Sequence, residues 1–288
     1  MKLLIFGAGY SGQAIARRLA GRTGDHGWIA GTTRSPERFP PLTAVGMRPL
    51  VFDGQKINDD LLQAMASATH VVQSIAPDED GDPLLNLVEH AGAFPQGRWF
   101  GYLSTVGVYG DHGGGWVDED TPCRPVSDRS VQRLAAEEAW SVFGERLSRP
   151  VAILRLSGIY GPGRSAFENF EKGTARRLVK PGQVFNRIRV EDIAAATDFL
   201  MTQGSGGIWN VTDDEPAPPQ DVVAYAAGLM GVEPPPEIDF ETAELSPMAR
   251  SFYGENKRVS NAKIKAAGFE FAFPDYRVSL EQLWFARR

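Results

Sequence analysis

Three glycines at fixed spacing rule out most architectures for this chain. Gly7-Ala8-Gly9-Tyr10-Ser11-Gly12 follows the apolar run Lys2-Leu3-Leu4-Ile5-Phe6. It precedes Gln13-Ala14-Ile15-Ala16-Arg17-Arg18-Leu19, whose apolar residues recur at helical spacing. The order is strand, turn, helix. The glycines do different things. Gly7 turns the chain off the strand, Gly9 lets a pyrophosphate approach the backbone, and Gly12 lets the helix lie close to the sheet. The open amides of the helix N-terminus, and the dipole behind them, favour negative charge. Gly7, Gly9, Tyr10, Ser11 and Gly12 are therefore expected to hold a dinucleotide. A tight turn with no ligand would explain one glycine, not three in this pattern.

The rest of the chain repeats the alternation. Trp28–Arg34, Met47–Phe52, His70–Ile75, Arg98–Thr105 and Val151–Leu156 read as strands, mostly apolar throughout, with helical segments between them. Strands of that kind belong to a parallel sheet covered on both faces. The expected fold is α/β, a Rossmann-type doubly wound parallel sheet. Asn58 caps a helix through Leu61, Leu62 and Met65. Asp78–Asp82 reads as a solvated acidic loop entering a helix near 82–92, and a long helix is expected near 127–144.

In a site for NAD, a carboxylate about 20 residues beyond the glycines holds the ribose 2′-hydroxyl. Here the second strand ends in Thr33-Arg34-Ser35, with Arg38 close by and no acid in that place. A guanidinium there pairs with a 2′-phosphate, so NADP is favoured over NAD. Asp53, at the end of the third strand, is a candidate for the adenine amino group, although aspartate also serves as a turn residue.

Composition narrows the partners. With 288 residues, 42% of them hydrophobic, the chain can bury a sizeable core, and a net charge of −6 argues against nucleic acid or an anionic membrane as its partner. Cys123 is the sole cysteine, which excludes an internal disulfide framework and suits a reducing cytosol. No run approaches the roughly 18 apolar residues that suggest a membrane span. Glycines interrupt the N-terminal apolar run, so no signal peptide is expected. The expectation is a cytoplasmic protein acting on a small molecule, with no membrane partner and no metal site.

Taken together, the motifs resemble the short-chain dehydrogenase/reductase superfamily, in its extended, atypical epimerase/dehydratase-like branch. The matches are Gly7-x-Gly9-x-x-Gly12, Leu103-Ser104-Thr105-x-x-Val108-Tyr109-Gly110, Leu134-Ala135-Ala136-Glu137 and Arg155-x-x-x-Ile159-Tyr160-Gly161-Pro162-Gly163. Val190-Glu191-Asp192-Ile193-Ala194, Trp209-Asn210-Val211 and Val259–Phe269 extend the likeness over nearly the whole chain. The resemblance implies a Ser or Thr beside the nicotinamide, followed by a Tyr-x-x-x-Lys pair on the next helix. Thr105 falls on the first place and is the candidate catalytic residue. Aligning Leu134–Glu137 puts Arg133 at the lysine place and Arg129 at the tyrosine place. A phenol with a pKa near about 10 can be tuned toward neutrality, whereas a guanidinium above about 12 cannot act as a base. Arg133 can hold a ribose or phosphate; Arg129 cannot move the proton. Tyr109, Tyr160, Asp111 and His112 are minor candidates for moving it.

The same resemblance implies that Ser74, Ile75 and Ala76 pass beside the ribose, and that Ser157, Gly158 and Ile159 run under the carboxamide. It also implies a nucleotide-binding domain of residues 1–163 plus 184–214 and a smaller C-terminal substrate lobe of 164–183 plus 215–275. In the lobe, Lys172, Arg176, Arg177 and Lys180 are either diphosphate ligands or a solvated helix face; Asn186 and Arg187, on the segment leading back to the nucleotide-binding domain, are candidates to point into the cleft. A final helix in 276–288 is expected to dock on the sheet domain or on a second subunit. Relatives pair through the two long helices, which makes a homodimer an expectation. Two activities fit: an NADP(H)-dependent oxidoreductase or epimerase on a small polar or sugar-derived substrate, or a non-catalytic NADP(H)-binding sensor or scaffold.

Overall fold

A computed structural model describes residues 1–88, 94–246 and 250–287. The first half of the chain alternates regularly. It runs β1 (Lys2–Phe6), α1 (Tyr10–Leu19), β2 (Trp28–Thr33), α2 (Phe39–Thr43), β3 (Arg48–Val51), α3 (Asp59–Ser67) and β4 (His70–Gln73). There follow α4 (Leu85–Val88), β5 (Trp99–Thr105), β6 (Trp116–Val117), α5 (Asp128–Leu147) and β7 (Val151–Leu156). Beyond these come β8 (Gly158–Tyr160), α6 (Ala166–Glu171), β9 (Arg177–Val179), β10 (Arg187–Arg189), α7 (Val190–Gln203) and β11 (Gly207–Val211). The chain closes with α8 (Pro219–Met230), β12 (Glu237–Asp239), β13 (Arg258–Val259), α9 (Ala262–Ala266) and α10 (Tyr276–Phe285).

Seven strands form one parallel sheet in the order β11-β7-β5-β4-β1-β2-β3. From β1 the chain proceeds outward through β2 and β3, then returns to place β4 on the other side of β1. The direction of winding therefore reverses between β1 and β4, which are paired in parallel from Leu3↔His70 to Phe6↔Gln73. In sheets of this kind, ligands bind beyond the carboxyl ends of the strands at that reversal.

The chain forms two compact units. One comprises Met1–Val108, Ser127–Arg155 and Ile193–Trp209; the other comprises Tyr109–Val126, Leu156–Asp192 and Asn210–Arg288. The first unit is organised by an apolar strand set. Leu3, Leu4, Ile5 and Phe6 are fully buried, as a central parallel strand requires. Beneath the sheet, Phe100, Trp140 and Phe143 meet at ring-centroid separations of 5.3–6.3 Å, and Tyr102 stacks on Trp140 at 6.1 Å. Helix starts follow their caps: Asn58 accepts from the Leu61 amide and Ser127 from that of Ser130.

In the second unit, Phe167, Ala217, Ala226, Tyr276, Leu280 and Leu283 form a separate apolar cluster. The final helix α10 buries one face within this unit, packed against α8. Leu280 and Leu283 of that face are buried there, while Phe285 is 66% exposed. Of the helix expected near 82–92, α4 covers Leu85–Val88; positions 89–92 lie outside the described residues.

One expectation about the acidic loop is corrected. Asp82 is not solvated; it is 3% exposed. Its Oδ1 accepts from the Leu84 and Leu85 amides at 2.9 and 3.1 Å, and its Oδ2 accepts from Trp140 Nε1 at 3.0 Å. A carboxylate is acceptor-only, and here it is buried because each oxygen meets donors.

Candidate nucleotide-binding site

The glycine turn occupies the reversal point. Gly7 has φ of +76°, a left-handed conformation that L side chains adopt only with strain. A Cβ there would also stand 2.9 Å from Ile75 Cγ1 and 3.1 Å from Ile75 N. The turn is fixed from β2, since the Gly7 amide donates to Thr32 Oγ1 and the Ala8 amide to Thr32 O, both at 2.9 Å. A Cβ on Gly12 would meet Ile5 Cγ2 at 3.1 Å, so this position keeps α1 close to β1. Gly9 differs: it is exposed, and a Cβ there would approach nothing nearer than Gly7 O at 3.9 Å. Open space lies at the glycine expected to admit a ligand.

Helix α1 begins at Tyr10 behind Gly9, has no side-chain cap and carries no acidic residue in its first turn. Its leading amides lack intrahelical acceptors by geometry, and its dipole is not neutralised by a neighbouring carboxylate. A nucleotide diphosphate offers acceptors and negative charge of the kind a helix start favours. The residues present thus fit the phosphates of a dinucleotide.

Other elements of the same unit carry further candidate residues. Ser74, Ile75 and Ala76 follow β4, with the Ser74 amide donating to Phe6 O at 2.9 Å. Arg34 follows β2, is exposed, and engages no hydrogen bond or ion pair among the described residues. Asp53 is exposed too, but its Oδ1 accepts from the Gln55 amide at 2.9 Å, and that bond holds its carboxyl below the usual range. It behaves as a turn residue with one oxygen committed.

Thr105 ends β5, and its Oγ1 accepts from the Gly107 amide at 3.1 Å, leaving the hydroxyl proton to donate elsewhere. Arg133 lies on α5. Its Nη1 donates to Leu103 O at 2.9 Å and to Tyr102 OH at 3.3 Å, so this cation is fastened to the end of β5. Arg129, in the first turn of α5, is exposed. Just below Thr105, Ser104 Oγ donates to Glu137 Oε1 at 2.5 Å, and Glu137 pairs with Arg155 at 2.7 Å. Both partners are 3% exposed. The motif residues Glu137 and Arg155 therefore brace the strands behind the site.

The second unit carries Ser157, Gly158 and Ile159 directly after β7. The Ser157 amide donates to Val211 O at 3.3 Å, and Gly158 pairs with Arg187 through β8 and β10. Tyr109 OH donates to Asn210 Oδ1 at 2.8 Å, and the phenol is fully buried. Burial also pushes the Tyr160 hydroxyl upward, away from a neutral-pH base. His112 contacts Tyr109 O, and its loop is tied to Asn256 by the Asp111 carboxylate. Asn186 does not serve a cleft: it is 9% exposed, donates to Lys257 O and accepts from the Val259 amide. Arg187 donates to Phe185 O and Ala217 O at 2.9 and 3.0 Å. Of the basic run, Arg177 pairs with Glu237 and Lys180 donates to Tyr253 O, while Lys172 is exposed.

Sequence reasoning missed the part played by Gln73 and Asp82. The signal for Asp82 was the Asp82-Pro83-Leu84 order, an acceptor followed by proline at a helix start. Among the described residues no group of three or more His, Cys, Asp or Glu is placed to hold a metal, and no helix is long and apolar enough to cross a membrane.

Comparison with known proteins agrees with this geometry. Protein YeeZ of Escherichia coli strain K12 is 30% identical over 290 residues, spanning 95% of this chain and 97% of that protein. A solved structure of a functionally unknown conserved protein from Silicibacter pomeroyi is 46% identical, covers 99% of each chain and superposes with a TM-score of 0.89. The human epimerase family protein SDR39U1, solved with NADPH, shares the fold at 18% identity, with 99% of each chain covered and a TM-score of 0.76. The model of the NAD dependent epimerase/dehydratase family matches residues 3–212, and the chain belongs to that family.

Proposed function

We propose that this chain binds a nicotinamide dinucleotide, with NADP(H) preferred over NAD(H), and acts as an oxidoreductase or epimerase on a small polar or sugar-derived substrate. The observation that carries the reading is the uncapped start of α1 behind an exposed Gly9, at the point where the sheet reverses its winding. Gly7, Gly9, Tyr10, Ser11 and Gly12 hold the diphosphate, and Ser74, Ile75 and Ala76 line the ribose. Arg34 takes the 2′-phosphate, for which its exposed and unengaged guanidinium is suited. NADPH in the human structural neighbour is consistent with this choice, while the family's own description names NAD. Ser157, Gly158 and Ile159 enter through the family likeness alone.

Bound, the nicotinamide supplies or receives a hydride, two electrons with one proton. The chain's part is to hold the substrate oxygen, which in a carbonyl reduction takes up one further proton. Thr105 retains a hydroxyl proton that can be donated to a carbonyl oxygen, which orients it and stabilises the negative charge that develops there. In such a reduction the net proton comes from solvent, because Arg129 and Arg133 cannot release one.

A second reading is supported by Arg133. Its attachment to Leu103 O and Tyr102 OH gives it a structural role in place of tuning a tyrosine. A protein that binds NADP(H) without turnover needs nothing more. The test is to follow oxidation of NADPH over a panel of small carbonyl compounds. Turnover lost in Thr105→Ala supports the enzyme, and turnover retained in that variant removes Thr105 from the mechanism. Tight NADPH binding without oxidation across the panel supports the binding protein. Arg34→Ala is expected to weaken NADPH about tenfold, a loss of about 1.4 kcal/mol, and to leave NADH unchanged.

A further inference from the structure

Gln73 closes β4 and is fully buried. Its side-chain amide faces two ways. Nε2 donates to both oxygens of Asp82, at 3.0 and 3.1 Å, while Oε1 accepts from the Ile75 amide at 3.0 Å. Asp82 in turn accepts from two backbone amides and from the Trp140 indole. Every donor around Asp82 points inward, and the acceptor-only carboxylate completes the set. This fixes the orientation of the Gln73 amide, because the opposite flip would aim a carbonyl at the carboxylate and an NH2 at the Ile75 N–H.

The consequence is local to the glycine turn. Ile75 donates its amide backward to Gln73, and its Cγ1 lies against the bare Cα of Gly7. The Ser74–Ala76 segment is thereby pinned on the turn from behind, by side chains buried beneath it. Neither Gln73, 0% exposed, nor Asp82, 3% exposed, presents surface to a ligand.

We propose that Gln73 and Asp82 are positioning residues that hold Ser74–Ala76 against the Gly7 turn, and so set the affinity of the nucleotide site without touching the nucleotide. The assignment rests on the cofactor reading above. Orphaning the Ile75 N–H lets the segment move, and a site loosened by even about 1 Å loses much of its binding.

Gln73→Met keeps the approximate volume and removes both functions of the amide. Trp140→Phe is the control: it takes one bond from Asp82 and perturbs the same core, yet leaves the Gln73–Ile75 link intact. Two readouts are needed, amide hydrogen exchange at Ile75 and the calorimetric Kd for NADPH. Gln73→Met is expected to speed exchange at Ile75 at least tenfold and to weaken NADPH at least tenfold. Trp140→Phe is expected to lower the Tm with both readouts unchanged. Wild-type exchange and affinity in Gln73→Met would overturn the proposal, as would equal weakening by Trp140→Phe, which would mark general loosening of the core. If the wild-type protein bound no nicotinamide nucleotide, the cofactor reading would fall. The exchange arm would still decide whether Gln73 holds the segment.

Discussion

Removing Glu137 tests how the sheet behind Thr105 is held. Glu137 and Arg155 are each 3% exposed, and their contact is bidentate: Arg155 Nε reaches Oε1 and Oε2 at 3.2 and 3.1 Å, and Nη2 reaches Oε2 at 2.7 Å. Ser104 adds a third donor at 2.5 Å. In Glu137→Leu the guanidinium stays buried without this anion, and the Ser104 hydroxyl loses its acceptor. Breaking a buried pair from one side costs about 3–5 kcal/mol, a large share of the roughly 5–15 kcal/mol that stabilises a typical domain. At about 2–4 °C per kcal/mol, the Tm should fall by roughly 6–20 °C. Arg155→Leu should cost a similar amount for the mirror-image reason. The double variant Glu137→Leu/Arg155→Leu should be more stable than either single one, since apolar replacement of a whole buried pair is often neutral. Urea denaturation of all four proteins yields the coupling energy, expected to be at least about 2 kcal/mol. Single losses below about 1 kcal/mol, or losses that add in the double variant, would refute the reasoning.

Gly7→Ala places a side chain at φ +76° and 2.9 Å from Ile75 Cγ1. It should destabilise the protein by about 1–2 kcal/mol from the backbone alone, and abolish nucleotide binding; an unchanged Tm and Kd would contradict the turn geometry. Asp213 is 1% exposed, and burial raises its carboxyl well above the ordinary range, with Arg187 opposing and Asp214 and Asp275 adding to the rise. A raised pKa means stability present below pH 3.8 is lost as pH climbs through the folded-state value. Asp213→Asn should therefore gain Tm relative to wild type at pH 8 and gain less at pH 5, and a pH-independent difference would dismiss the charge argument.

How much of this was legible in sequence follows from distance along the chain. The glycine turn was readable because strand, turn and helix start sit within Lys2–Leu19, and six strands of the seven-stranded sheet were readable as apolar runs. The second strand was read one residue too long: it stops at Thr33, and Arg34 follows it. Asp82 was misread as solvated because its burial depends on Trp140, 58 positions away. Asn186 was misplaced for the same reason, since its partners Lys257 and Val259 lie more than 70 positions further on. Glu137 and Arg155 were visible as motif letters, but their physical link, a salt bridge between α5 and β7, appears only once the chain is folded. Asp53 was ambiguous between ligand and turn, and its bond to Gln55 shows a local engagement that sequence alone left open.

The most direct measurement is isothermal titration of the wild-type protein with NADPH and NADH, at equal ionic strength. The account predicts saturable heat with a single site per chain, and tighter binding of the phosphorylated form. No heat with either nucleotide, reduced or oxidised, would contradict a cofactor site at the start of α1. Equal affinities would leave that site in place and deny Arg34 its role.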